Sequence, residues 1–275
     1  MDKYLGFIVH VPAENQELLI ADLYDLGFEA FIEEEHQIQA FIACKDWDEE
    51  KALLISNYLS ESKIKYQIIE HDPQDWNLVW ESNFKDILIQ EKLHIRASFH
   101  PADKNAEVEL LIAPKMAFGT GHHSTTFMIL NWMTGQNFHG KSVLDFGCGT
   151  GILGIYAKKK GCDHLVMVDI EEQAIENSKE NAGLNHVNVD KILLGSTEQI
   201  EGMKFDLILA NITRNILQET LPALASLLNS EGLMIVSGFL MEDKEFMENL
   251  LNFNGLSPME TFKDKDWLAI LACRN

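Results

Sequence analysis

Positive charge is scarce in this 275-residue chain: 22 Lys and Arg stand against 43 Asp and Glu, a formal net charge of -21. A surface this acidic repels phosphate backbones, which excludes a broad basic face gripping RNA or DNA. Cysteine is sparse as well. Cys44, Cys148, Cys162 and Cys273 lie far apart with no C-x-x-C spacing, so neither a disulfide framework nor a zinc site is indicated. Proline is low at 6 residues and hydrophobic content is 46%, so nothing reads as disordered. No apolar run reaches the roughly 18 to 20 residues of a membrane span. The start, MDKYLGFIVHVPAENQ, lacks the features of a secretion signal, and a cytoplasmic protein is expected.

The charge is unevenly placed. Residues 1–72 hold 16 acids and 5 bases, net -11, while the remaining residues hold 27 and 17, net -10. This acidic first quarter alternates like a small α+β domain. Leu5, Phe7, Val9 and Val11 share one face of a strand, and Leu19, Leu23 and Leu26 recur at helical spacing before Gly27. Residues 28–33 and 37–43 read as strands, 46–60 as a helix with Ala52, Ile55 and Leu59 in register, and 66–70 as a last strand. The order βαββαβ predicts a ferredoxin-like sheet over residues 1–72. Pro73 then breaks the pattern. Trp76 and Trp80, spaced i, i+4, predict a linker helix within residues 73–90, and residues 91–275 form the second domain.

That second domain opens with β-rich segments at 92–99 and 107–112, then the stretch MAFGTGHHSTT. From Lys141 strands and helices alternate, and near-continuous apolar strands followed by helices mean a parallel sheet covered on both faces. The end, LSPMETFKDKDWLAILACRN, reads as two strands joined by a polar turn, so the sheet finishes in an antiparallel hairpin.

The strand VLDFG runs into Gly147-Cys148-Gly149-Thr150-Gly151, whose glycines permit a tight turn and close ligand approach at a helix start. Residues 149–154 also satisfy G-x-G-x-x-G, and Asp169 follows 20 residues after Gly149, placed to accept ribose hydroxyls. On pattern alone a nicotinamide nucleotide and S-adenosylmethionine both fit. Asp145 separates them. A carboxylate at the strand end repels a pyrophosphate but suits a cofactor that carries an ammonium and a sulfonium and no phosphate.

The chain resembles class I methyltransferases, and more narrowly the bacterial ribosomal protein L-eleven (L11) methyltransferase family. The resemblance spans essentially the whole chain: a small N-terminal domain, Trp-x-x-x-Trp, AFGTGHHSTT, LDFGCGTGILGI, the acidic strand end and LANI. It implies S-adenosylmethionine contact by Thr126, Gly147, Asp169 and Asn211, with Gly149 and Gly151 in the same loop. Ser196 lies where adenine contacts are usual. His123 matches the family's pattern and is expected to support the cofactor loop, whereas His122 stands where the family varies. Adjacent histidines on one loop seldom chelate a single ion, so no metal is expected. Asn211 opens Asn-Ile-Thr-Arg, without the prolines and aromatic that hold a flipped nucleobase. An RNA methyltransferase is thereby disfavoured.

The resemblance implies methylation of L11 on lysine ε-amino groups and on the N-terminal α-amino group, each to the trimethylated product, with the acidic N-terminal domain holding this basic protein. A lysine amine is neutral about 1 part in 2,500 at pH 7, a deficit of roughly 4.6 kcal/mol. Desolvation beside a sulfonium charge lowers that deficit, and no dedicated base is required. Competing readings are a nicotinamide-dependent oxidoreductase and a ribosome-assembly factor that only senses the cofactor.

Overall fold

A computed structural model describes residues 4–12, 15–34, 36–61, 64–71, 85–103, 105–113 and 119–275. Two compact units divide the chain, Met1–Asn83 and Phe84–Asn275. Trp76, Trp80 and the Ala117-Phe118 pair lie outside the described residues.

In the first unit, β1 (Tyr4–His10), α1 (Gln16–Asp25), β2 (Ala30–Glu34), β3 (Gln37–Ala43), α2 (Glu49–Glu61) and β4 (Lys65–His71) follow in that order. The strands form one sheet ordered β2-β3-β1-β4, with every neighbouring pair antiparallel. This is the ferredoxin-like arrangement expected from the βαββαβ pattern. The alternating Leu5, Phe7 and Val9 face a core with Ile38 and Ile42 of β3, Leu19 and Leu23 of α1, and Ile55 and Leu59 of α2. Phe7 and Phe28 meet edge to face at 5.1 Å, a favoured aromatic geometry.

The second unit begins with a small sheet of β5 (Ile87–Ile89), β6 (Leu93–Arg96) and β7 (Val108–Leu111) in that order. Residues 87–89, at the end of the segment in which a linker helix is expected, form a strand, while the Trp76–Trp80 stretch that carries the helix expectation lies outside the described residues. The Ile-Leu-Ile run suits a strand, and β5 turns back onto β6 through Gln90 and Glu91, whose φ values are 51° and 56°. Such a primed turn usually announces itself with Asn-Gly, and here that signal is missing.

The main sheet holds β8 (Ser142–Phe146), β9 (His164–Asp169), β10 (Lys191–Leu194), β11 (Phe205–Asn211), β12 (Leu228–Leu240), β13 (Leu256–Asp264) and β14 (Trp267–Arg274). Their order is β10-β9-β8-β11-β12-β14-β13, and β14 runs antiparallel to both its neighbours. Helices α3 (Ser124–Thr134), α4 (Ile152–Lys159), α5 (Glu172–Leu184), α6 (Arg214–Leu227) and α7 (Lys244–Phe253) cover it. The core divides accordingly. One cluster packs Met128, Ile129 and Met133 of α3 and Ile155 of α4 under Val143 and Leu209. The other packs Leu217, Leu221 and Leu224 of α6 and Met247 and Leu251 of α7 under Leu144, Ile208 and Val236. The central strands β8, β9 and β11 are apolar on both sides because each face has its own helices.

Two buried asparagines, Asn181 near the end of α5 and Asn185 at its C-cap, fasten the small sheet to the large one. Asn185 Oδ1 accepts from the Leu111 N–H at 2.9 Å, and its Nδ2 donates to the Leu111 carbonyl at 2.6 Å, so the amide occupies the edge of β7 as a paired strand would. One helical turn earlier, Asn181 Oδ1 accepts from Ala113 N–H at 2.8 Å and its Nδ2 donates to the Thr150 carbonyl at 2.8 Å. No helix among the described residues is long and apolar enough to cross a membrane.

Candidate active site

The glycine loop is held from two sides. The Gly147 and Cys148 N–H groups both donate to the Val168 carbonyl of β9, at 2.8 and 3.1 Å. Asp169 then takes the Gly149 N–H on Oδ2 at 2.9 Å and the Glu171 N–H on Oδ1 at 3.0 Å. Each carboxylate oxygen keeps a lone pair for another donor. Gly147 has a φ of 70°, and a Cβ there would collide with the Ile212 side chain, so the loop's close approach to β11 needs glycine.

Above this loop lies a cavity of about 370 Å³, at the lower end of the range for small-molecule sites. It opens at the carboxyl ends of β8 to β11, where the strand order reverses, the usual ligand crevice of open α/β sheets. Gly147, Gly149, Asp169, Ser196 and Asn211 all line it. So do Ile170, Ile212 and Ile216, three apolar residues that the pattern of the sequence did not single out. Ile170 and Ile212 directly follow the ends of β9 and β11, an offset that would have marked them, and Ile216 stands in the first turn of α6. Among the described residues no lysine or arginine lines the cavity.

A narrow second pocket of about 20 Å³ adjoins it, lined by Gly119, Thr126, Gly147, Gly149 and Asn211 among others. Here Thr126 is 1% exposed, and its hydroxyl accepts from Asn211 Nδ2 at 3.1 Å rather than bonding to its own helix. That bond fixes the amide plane. Asn211 Oδ1 is left buried with no hydrogen-bond partner, an acceptor that a ligand or substrate donor would satisfy. Thr150 Oγ1 donates to the Gly119 carbonyl at 2.6 Å, joining the end of the AFGTG stretch to the glycine loop.

Three other residues from the sequence reading do not line either pocket. Asp145 lies beneath the loop, 1% exposed, where Oδ2 accepts the Gly154 N–H of α4 at 2.8 Å. Its strand-end position places it in the packed layer between β8 and α4 instead of at the cavity wall. Burial pushes its carboxyl up to about 7, against the pull of the Gly154 N–H and with a further push from the Asp169 charge. Gly151, in the left-handed region at φ 76°, caps α4 and packs against Ser178. His123 is the N-cap of α3: its Nδ1 accepts from the Thr125 N–H at 3.3 Å, and its ring meets Trp267 edge to face at 4.7 Å. The His122 ring turns elsewhere, with Nδ1 3.1 Å from Thr120 Oγ1 and Nε2 2.8 Å from the Lys85 carbonyl oxygen. The two imidazoles do not converge, and among the described residues no group of three or more His, Cys, Asp or Glu could hold a metal.

Comparison with known proteins places this geometry in context. The family model for ribosomal protein L11 methyltransferases matches residues 10–275. A ribosomal protein L11 methyltransferase of Phocaeicola vulgatus is 38% identical over 275 residues, covering 98% of each chain. That of Porphyromonas gingivalis is 36% identical over 280 residues, covering 98% of this chain and 97% of its own. A crystal structure of a ribosomal protein L11 methylase from Lactobacillus delbrueckii subsp. bulgaricus superposes with a TM-score of 0.64 at 28% identity, over 70% of this chain and all of the other. On fold, sequence and coverage alike, the chain belongs to the ribosomal protein L11 methyltransferase family.

Proposed function

We propose that this protein transfers methyl groups from S-adenosyl-L-methionine to ribosomal protein L11, acting on lysine ε-amino groups and the N-terminal α-amino group and carrying each to the trimethylated product. The observation that carries the reading is the unpaired Asn211 Oδ1 at the junction of the two pockets, in a cavity whose described lining is carboxylate, amide, hydroxyl and apolar. Among the described residues a pyrophosphate would meet the Asp169 and Glu171 carboxylates and no counter-charge, which disfavours the nicotinamide alternative. The residues fit S-adenosylmethionine: Asp169 would take the ribose hydroxyls, Ser196 with Ile170, Ile212 and Ile216 the adenine, and Gly147, Gly149 and Thr126 the amino-acid portion. Bound there, the cofactor supplies an electrophilic methyl group on a sulfonium.

The chain's own contribution is positioning. Thr126 locks the Asn211 amide, and Asn211 Oδ1 would accept one N–H of an incoming amine, fixing the direction of its lone pair. Among the described residues the one titratable side chain lining the narrow pocket is the Cys148 thiol, which burial above all pushes well above its ordinary value. That group stays protonated and takes no proton. The amine therefore sheds its proton to water before it enters.

Incubation with radiolabelled methyl donor and isolated ribosomal proteins tests the reading. Label is expected on L11; label on RNA instead, or on nothing, overturns it. We further assign L11 docking to the acidic N-terminal unit, because opposite charge steers a basic protein and repels competing nucleic acid. Raising salt from about 50 to 300 mM shortens the Debye length from about 14 to 6 Å, so the KM for L11 is expected to rise several-fold. S-adenosylhomocysteine affinity should change less than about twofold, since the ligand carries no net charge for distant surface groups to steer. A salt-independent KM would remove the docking assignment and leave the catalytic one standing.

A further inference from the structure

Asp145 is the one carboxylate of the glycine-loop region that touches no solvent-filled space. It is 1% exposed and lines neither pocket, yet the next two residues, Phe146 and Gly147, form part of the cavity wall. Its setting is unusual for an acid. Gly154 lets α4 press onto it so closely that a Cβ at 154 would sit 3.1 Å from Asp145 Oδ2. Its register neighbours are Met167 on β9 and Leu209 on β11, both apolar and fully buried. The titratable groups that face it are Asp169 at the end of β9 and the Cys148 thiol in the loop, and from α4 it receives the Gly154 N–H. Among the described residues no cation faces it.

Two carboxylates thus grip one short segment, Asp169 at Gly149 and Asp145 at Gly154, and the first of them also lines the cavity. Like charges converging on one buried site cannot both ionise cheaply without a counter-ion. Asp145, 1% exposed and with a single N–H donor, is the carboxyl whose charge this packed layer accommodates worst, so burial favours its protonated form. A ligand that brings a positive charge into the adjoining cavity reverses that balance. A positive charge there favours the ionised carboxylate through a medium less polarisable than water, which lowers the pH at which Asp145 gives up its proton.

We infer that Asp145 makes the site selective for the positively charged methyl donor over its neutral-sulfur product, by giving up a proton to solvent when the donor binds. The charge balances: a sulfonium enters and one proton leaves, so the buried layer keeps its net charge. After transfer the sulfur is neutral, and Asp145 takes a proton back from solvent, which weakens the hold on the product. This rests on the methyl-transfer reading of the same cavity and extends it to how donor and product are told apart.

Calorimetry on the full chain tests it, with S-adenosylmethionine and S-adenosylhomocysteine each titrated in phosphate and in Tris, whose ionisation heats differ. At pH 6.5 the donor is expected to release about 0.7 proton and the product less than about 0.2. Between pH 8 and pH 6 the donor's affinity should fall roughly tenfold and the product's less than twofold. Asp145→Asn, a neutral isostere, is expected to abolish the release and flatten the donor's pH dependence. Should that variant not fold, the comparison of the two ligands on the unaltered chain decides alone. Binding of both ligands with no difference in proton release overturns the inference and leaves the methyltransferase reading intact. Failure of either ligand to bind at any pH overturns both. An undiminished release in Asp145→Asn assigns the proton to another group and also overturns the inference.

Discussion

Replacing Asp169 with alanine is expected to weaken S-adenosylhomocysteine binding at least about 100-fold. The side chain ends β9 with one lone pair on each oxygen uncommitted, on the wall of the larger cavity. Hydrogen bonds from a ligand to a charged acceptor contribute about 1.5 to 3 kcal/mol each, so losing two of them accounts for the factor. The same change also frees the Gly149 N–H, which loosens the loop and adds to the loss. Asp169→Asn, which keeps one acceptor, should retain part of the affinity. Titration calorimetry reads this directly, with thermal unfolding as the check that the fold survives; unchanged affinity in Asp169→Ala would refute the ribose assignment.

The second large effect is on stability. Gly238 sits at a bulge in β12, where the register against β14 shifts between Ser237 and Phe239, and its φ is 102°. A Cβ there would run into the carbonyl of Ile212, which is backbone and has nowhere to go. Backbone strain of about 1 to 3 kcal/mol and overpacking of similar size together predict a loss of roughly 3 to 5 kcal/mol for Gly238→Ala. For a unit of this size that is on the order of a 10 °C fall in Tm, measurable by calorimetry. Because the Ile212 N–H donates to the Ser237 carbonyl at 3.1 Å, the displaced segment would carry Asn211 with it, and cofactor affinity should fall in parallel. A shift of less than about 2 °C would mean that the bulge yields freely.

Much of this was legible in the sequence because local pattern and tertiary role coincide. Leu5, Phe7 and Val9 alternate because one face of β1 is buried, and Gly147 and Gly149 cluster because the loop must turn and let a ligand approach. The acidic strand end at Asp169 is equally local. What escaped depends on partners distant in the chain. β5 hides because its turn uses Gln90 and Glu91 where glycine would have signalled it. Gly238 reads as an ordinary residue of an apolar strand until Ile212, 26 positions away, is brought against it. Asp145 illustrates a different limit. Its position at a strand end was readable, but whether it faces the cavity or the helix depends on how closely Gly154 packs.

The asparagines of α5 have a consequence for how far this enzyme can be pared down. Through Asn181 the carbonyl of Thr150 and the backbone beyond β7 share one amide, so the glycine loop leans on chain that precedes the main sheet by some thirty residues. A seven-stranded fragment cut free of that leading segment would retain every residue that lines the larger cavity and still lack one of the struts of its loop. The inherited module here is larger than the sheet that defines its fold class, and grafting schemes that respect only the sheet would cut through it.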